Sequence, residues 1–160
     1  MKITDTHVYF WRGLFSNWHP IKFFDPNAGL TFNNTEQGFM WYKARLFGNN
    51  DIAELISKEV DPQKCKKFGR EIRNYNEEKW KLVREESMFY VNKLKYEQNN
   101  EAARQLVGTK DKILVEASPY DEIWGVKLRE EDPLILDEKN WLGLNLLGIT
   151  LMKVRDYLEK

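Results

Sequence analysis

"NNTEQGFMWYKARLFG", residues 33–48, decides how this chain is read. Asn34 or Thr35 can cap a helix start, and Gly48 can close one. At about 100° per residue, Phe39, Met40, Tyr42, Leu46 and Phe47 gather on one arc. Gln37, Gly38, Trp41 and Arg45 fall on the other side. Two charges break this pattern: Glu36 and Lys43, seven residues apart and nearly eclipsed, lie inside the apolar arc. At about 1.5 Å rise per residue they stand about 10 Å apart along the axis, too far for a helix ion pair but a span that can flank a ligand. The ordinary alternative is a pair at the edge of the core whose long stems reach water.

Working outward, "HVYFW" (7–11) reads as a short strand, and residues 12–34 are turn-rich with another short strand near Leu30 to Phe32. After the opening helix come a helix over 51–59, stopped by Asp61-Pro62, and a short helix in "QKCKKFGR" (63–70). Asn76 caps a long helix whose apolar stripe runs Trp80, Val83, Val91 and Leu94, with Ser87 between. "NEAARQLVGT" (100–109) is a helix ended by Gly108. "KILVEAS" (112–118) is a strand, and "EIWGVKL" (122–128) is a candidate second one. "REEDPLILDEKN" (129–140) reads as a polar connector, and "LGLNLLGITLMKVRDYLEK" (142–160) as a closing helix. The expectation is a mainly α-helical α+β fold, a multihelical single domain over 1–160 with a small β-sheet.

A chain of 160 residues can bury a core of its own. Aromatics reach 14%, with six Trp and nine Phe, enough to build both a core and a stacking pocket for a planar ring. Formal net charge is zero, from 25 basic and 25 acidic residues, which argues against holding nucleic acid by bulk electrostatics. A local basic groove, or an enzyme acting on a nucleotide, stays open. Cys65 stands alone, so an intrachain disulfide is impossible, and with only His7 and His19 no His/Cys zinc cluster can be assembled. No loop has EF-hand spacing, no apolar run approaches a membrane span, and "MKITDTHVYF" has no signal-peptide core. These features predict a soluble, cytoplasmic protein without metal or membrane partner.

A second constellation is "LVEASPYDEIWG" (114–125). Glu116 ends an apolar strand, and Asp121 follows a Pro-containing turn and precedes Trp124-Gly125. Cleaving a glycosidic bond by acid–base chemistry needs carboxyl groups in different environments, and Glu36, Glu116 and Asp121 are the candidates. For Asp121 the ordinary alternative is a turn or cap residue. "FSNWHP" offers Ser16 and Asn17 between aromatics, and "FGREIR" offers Arg70, groups able to hold phosphate or ribose hydroxyls. Asn145 lies among leucines, where it must either bond a neighbouring loop or read a ligand. Gly143 and Gly148 point to close approach by another backbone or a ligand. There is no dinucleotide-binding glycine pattern, no Walker loop and no nucleophile elbow.

"TEQGFMWYKARLF", "FGR", the Trp80 helix, "LVEASPYDEIWG" and "WLGLNLLGITLMKVR", in this order after "YFW…FSNW", together resemble the NADAR family, also called YbiA-like. The resemblance implies an N-glycosidase of mainly helical fold that needs no cofactor. Some members cleave phosphoribosylaminopyrimidine intermediates of riboflavin synthesis, and others remove ADP-ribose from modified guanine in nucleic acid. Glu36 and Lys43 match the family's helix carboxylate and lysine. Trp80, Asp121 and Trp124 match positions tied to its pocket, with Trp11, Ser16, Asn17, Arg70, Glu116, Gly125 and Asn145 expected as substrate contacts. Lys127 stands where many relatives have a small residue. The 129–140 connector is unlike the short Gly-rich loop of the riboflavin-directed members.

The resemblance accounts for the two inward charges: Glu36, Lys43 and Asp121 are the expected catalytic residues. Two mechanisms fit. In one, a carboxylate positions water while another group protonates the leaving base. In the other, the riboside ring opens and Lys43 attacks the sugar carbon to give a Schiff base. Apolar surroundings lower the Lys43 pKa and Glu36 raises it, and both routes stay open at this level. The expected partner is a small nucleotide or an ADP-ribosylated base. A domain that binds such ligands without cleaving them is the alternative from another class.

Overall fold

Asparagine and aspartate caps cut the chain into short elements, and the computed structural model describes all of them over residues 1–160. The chain falls into two units. The first combines Met1–Ser16 with Asn100–Lys160, and the second is Asn17–Asn99. The mainly helical α+β fold is the observed one.

In the second unit, β3 (Phe23–Asp25) and β4 (Leu30–Phe32) form an antiparallel pair in which Phe23 opposes Phe32. Helix α1 (Thr35–Leu46) follows, its N-cap Asn34 accepting from the Gln37 backbone N–H at 2.8 Å. It packs against α2 (Asn50–Ser57), α3 (Pro62–Arg70) and α4 (Glu77–Glu97). The two-sided reading of α1 fails here, because every residue from Thr35 to Trp41 is buried. Gln37 is tolerated inside because its groups are engaged: Nε2 donates to the Ile56 carbonyl at 2.9 Å, and Oε1 accepts from the Asn33 N–H at 2.6 Å. A helix packed on several sides needs no polar face.

Helix α4 also differs from its expected stripe. Asn76 caps it as expected, accepting from the Lys79 N–H at 2.9 Å. Trp80, Val91 and Leu94 are buried as expected, but Arg84, Met88, Asn92, Lys95 and Tyr96 are buried with them, while Val83 and Ser87 sit half-buried. Steps of four and three from Trp80 place three polar residues inside, which a search for apolar residues passes over. Lys95 is 0% exposed, and burial pushes its pKa down to about 7.

In the first unit, β1 (Lys2–Ile3) runs antiparallel to β2 (His7–Phe10), and β2 runs parallel to β5 (Ile113–Glu116), with Phe10 opposite Glu116. Helix α5 (Asn100–Val107) packs on α6 (Leu146–Leu158), and α6 on β5. Tyr9, Val115, Ala117, Val126, Leu128 and Ile135 form a buried cluster. The segment 122–128 is not a strand. Lys127 has φ 60°, which breaks an extended run, and the only ladder-like bonds are single ones such as Val126 N–H to the Glu116 carbonyl at 3.0 Å. The connector is not merely polar: 3₁₀ turns at Pro133–Leu136 and Glu138–Asn140 insert Ile135 fully into the cluster. The closing helix starts only at Leu146, because Asn145 takes the left-handed conformation (φ 54°, ψ 36°). Gly143 therefore lies outside it.

The expected close approach at the glycines is observed. A Cβ on Gly148 would lie 2.0 Å from the Leu114 carbonyl oxygen, and one on Gly143 would lie 2.2 Å from that of Gly125. No helix is long and apolar enough to cross a membrane.

Candidate active site

Glu36 stands in the first turn of α1 and is 7% exposed, and its backbone N–H donates to the Asn17 carbonyl at 3.0 Å. Two turns on, Lys43 is half-buried. Its Nζ lies 4.9 Å from the Tyr75 ring centroid and 5.6 Å from that of Trp80, and it donates to the Gly69 carbonyl at 3.4 Å. Trp80 is buried and leans on Phe39, ring centroids 5.1 Å apart. Burial lowers the Lys43 pKa. Glu36 and Glu77 oppose that shift, Arg70 adds to it, and the outcome is downward. Desolvation therefore wins the contest that the sequence leaves open.

The same carboxylate acts on Cys65. Burial first, then the charges of Glu36, Glu59 and Asp61, push the thiol up to about 12, so it stays protonated and is no nucleophile. Tyr75 is likewise pushed up to about 12, by burial and by its hydrogen bond to Glu77. Asn17 is buried, with Nδ2 directed at the Met88 sulfur at 3.4 Å and Oδ1 without a hydrogen-bond partner. Arg70 is exposed at the end of α3.

The remaining expected site residues lie in the first unit. Trp11 is half-buried, its ring 5.8 Å from that of Tyr120, with the Arg12 guanidinium 5.1 Å from its centroid. Ser16 is buried. Glu116 closes β5, and its N–H donates to Asn145 Oδ1 at 2.9 Å. Asn145 Nδ2 donates to the Leu114 carbonyl at 2.9 Å, so this amide fastens the start of α6 to the end of β5. Asp121 Oδ1 accepts from the Ile123 and Trp124 N–H groups at 2.9 and 2.8 Å, the turn-capping role foreseen as its ordinary alternative. Gly125 packs where a Cβ would lie 3.0 Å from the Glu116 carbonyl oxygen.

Glu36, Lys43, Trp80 and Asn17 thus assemble in the second unit, with the Arg70 charge felt at Lys43. Two residues of this assembly escaped the sequence reading, Tyr75 and Arg84. Tyr75 carried no periodic signal. Arg84 did: it lies one turn after Trp80 on the same helix face, the kind of inward charge that drew attention to Glu36 and Lys43. A depression lined by Asn27, Tyr42, Glu86, Ser87 and Tyr90 also lies in this unit. The buried Asp25 carboxylate behind Tyr42 and Tyr90 is already engaged by both tyrosine hydroxyls and the Asn27 N–H.

A buried carboxylate, an amine with a lowered pKa and two aromatic rings can support cleavage of a bond between a sugar and a planar base. The model of the NADAR domain matches residues 9–159. An N-glycosidase of Acanthamoeba polyphaga mimivirus is 35% identical over 164 residues, covering 96% of each chain. A riboflavin biosynthesis protein of Vibrio vulnificus is 29% identical over 88% of this chain and 39% of its own length. The NMR structure of the E. coli protein YbiA superposes with a TM-score of 0.78 at 26% identity, covering 99% of this chain and 88% of that one.

Proposed function

The chain belongs to the NADAR family, with N-glycosidases among its relatives, and from that premise we propose that Glu36 and Lys43 form its catalytic pair, cleaving the bond between a ribosyl group and a base. The observation that carries this reading is the placement of both groups on one helix against the Tyr75 and Trp80 rings. The covalent route suits that placement best. The neutral Nζ lone pair adds to C1 of the ring-opened riboside. The base leaves with the C–N electron pair and a proton passed by Glu36. Water then adds to the iminium carbon, releasing the sugar and restoring the amine. Trp80 offers a face on which a base can stack. Asp121 and Trp124, in the other unit, enter this proposal on the family resemblance alone.

As substrate we place ADP-ribose on modified guanine first, supported by the 129–140 connector, which lacks the short Gly-rich loop of the riboflavin-directed members. The name of the Vibrio relative favours a second reading, a phosphoribosylaminopyrimidine. Both are tested by incubating the protein with DNA carrying ADP-ribosylated guanine and, separately, with the phosphoribosylaminopyrimidine, following free ADP-ribose or ribose phosphate by chromatography. Release from the first supports the substrate proposed. Release from the second alone transfers the assignment to the pyrimidine, and release from neither overturns the enzymatic reading.

A further inference from the structure

Arg84 is 8% exposed, on the buried face of α4. A guanidinium keeps its charge at any working pH and presents five N–H donors, so burying it demands an anion or a set of acceptors. Arg84 has neither. It makes no ion pair and no hydrogen bond, and its Nε is wholly enclosed without a partner. Nothing in its packing accounts for the charge.

Its neighbours say where it acts. One turn back, Trp80 faces the Lys43 ammonium. The Arg84 charge is felt at the Tyr75 hydroxyl, whose ring stands 4.9 Å from the same ammonium. One turn on, Met88 receives the Asn17 amide, and the Asn17 carbonyl receives the Glu36 N–H. Arg84 therefore lies between the two contacts that tie α4 to Lys43 and to Glu36. Two more buried polar atoms also lack partners: Asn17 Oδ1, on the residue whose carbonyl accepts the Glu36 N–H, and Thr35 Oγ1, on the residue before Glu36. A guanidinium whose Nε is enclosed, an enclosed amide oxygen and an enclosed hydroxyl, each without a hydrogen-bond partner, match a ligand bearing both an anion and hydroxyl groups. Such groups cost stability in the free protein and are retained where a ligand completes them.

We propose that Arg84 anchors the phosphate ester on C5 of the ribosyl group to be cleaved, with Asn17 Oδ1 accepting from a ribose hydroxyl. This rests on the catalytic reading above and adds the residue that positions the sugar. A nucleoside-diphosphate ribose and a phosphoribosyl compound both carry phosphate at that carbon, so the anchor serves either source. The planar guanidinium fork matches two phosphate oxygens at once, which a lysine in its place would not do.

The test is calorimetric binding of three probes, ribose 5-phosphate, ribose and ADP-ribose, to the intact chain and to Arg84→Gln and Arg84→Lys. The wild type should prefer ribose 5-phosphate over ribose by about 100-fold, the scale of one charge-assisted bidentate contact. Arg84→Gln should bring that preference down to about 3-fold or less, Arg84→Lys should keep part of it, and inorganic phosphate should compete with ribose 5-phosphate on the wild type only. Equal weakening toward ribose and ribose 5-phosphate would mark Arg84 as structural and overturn the proposal. Weakening toward ADP-ribose alone would overturn its placement at C5. If Arg84→Gln does not fold, the wild-type competition decides, and its absence overturns the anchor. Binding requires no turnover, so a phosphate preference without cleavage of either substrate defeats the catalytic reading and leaves the anchor standing. Cleavage without the preference defeats the anchor alone.

Discussion

The molecule buries one arginine in each unit to nearly the same depth and treats them oppositely. Arg155, 6% exposed on α6, donates through Nη1 to Thr109 Oγ1 and to the Lys112 carbonyl, both at 2.8 Å. Arg84, 8% exposed on α4, has an enclosed Nε without a hydrogen-bond partner. Other buried polar groups differ in the same way. In the first unit the Asn145 amide is engaged on both sides by β5, and Asp121 Oδ1 by two backbone N–H groups. In the second, Asn17 Oδ1, Thr35 Oγ1 and Asn92 Oδ1 are enclosed without partners. Buried polarity at Asn145 and Arg155 fastens a helix to its neighbours, whereas Arg84 Nε, Asn17 Oδ1 and Thr35 Oγ1 are left for something to complete.

The largest expected effects lie at the proposed catalytic pair in the second unit. Lys43→Arg keeps the positive charge but supplies no nucleophile, since guanidinium stays protonated. In the covalent route it should lower turnover by about 1,000-fold or more while ligand binding persists. Borohydride added during turnover of the wild type should trap a sugar adduct whose mass maps to α1. The pH profile checks the same point. A lysine whose pKa is lowered by burial becomes neutral earlier as pH rises, so kcat should climb with pH and reach half-maximum below the ordinary lysine value of about 10.4. An active Lys43→Arg enzyme without adduct would leave the two-carboxylate mechanism. Glu36→Gln is nearly isosteric and should cost about 100-fold in turnover, with a melting temperature close to the wild type. A stability loss above about 2 kcal/mol would instead place Glu36 among the residues that hold the fold.

In the first unit the expected loss is of stability. Gly148→Ala would place a methyl 2.0 Å from the Leu114 carbonyl and 2.5 Å from Asn145 Oδ1. The carbonyl belongs to the buried Leu114 of β5 and the amide to the clip that holds α6, so neither yields without breaking a hydrogen bond. We expect about 3 kcal/mol or more of destabilisation in urea unfolding. A loss under about 1 kcal/mol would show that α6 can slide along β5, and that the engaged polarity of this unit is softer than its hydrogen bonds imply.

How much of this contrast the sequence carried depends on the kind of signal. Asn34, Asn76 and Gly48 marked helix ends because capping is local chemistry, and those ends are observed. The inward turn of Glu36 and Lys43 was legible because two charges interrupted an apolar arc. The burial of Gln37, Gly38 and Trp41 was not, since it arises from helices packed on several sides of α1. Segment 122–128 looked like a strand by composition, yet a left-handed Lys127 and the fit of Ile135 into the cluster made it a chain of turns. The role of Asn145 depended on where β5 lay, which no local pattern reports. Arg84 falls on the buried face of α4 without adding to its apolar periodicity, so the stripe carries no sign of it.

The smallest expected effect is the sharpest test of the comparison, and it sets Arg155→Met beside Arg84→Met. Both substitutions keep the volume of the stem and delete the charge. Arg155→Met leaves the Lys112 carbonyl and the Thr109 hydroxyl without the donor they now share, so it should cost about 2 kcal/mol. Arg84→Met deletes a charge that has no partner to lose. The cost of burying the guanidinium disappears with it, so stability should change by less than about 1 kcal/mol and can rise. Urea unfolding of the two variants, followed by tryptophan fluorescence and by circular dichroism to check for a single transition, gives both numbers. A cost at position 84 equal to that at 155 would mean that Arg84 holds the fold through contacts of its stem, and the two units would then use buried arginine alike. A near-neutral Arg84→Met that has also lost its hold on ribose 5-phosphate would leave that guanidinium with no role in folding, only in gripping what the protein binds.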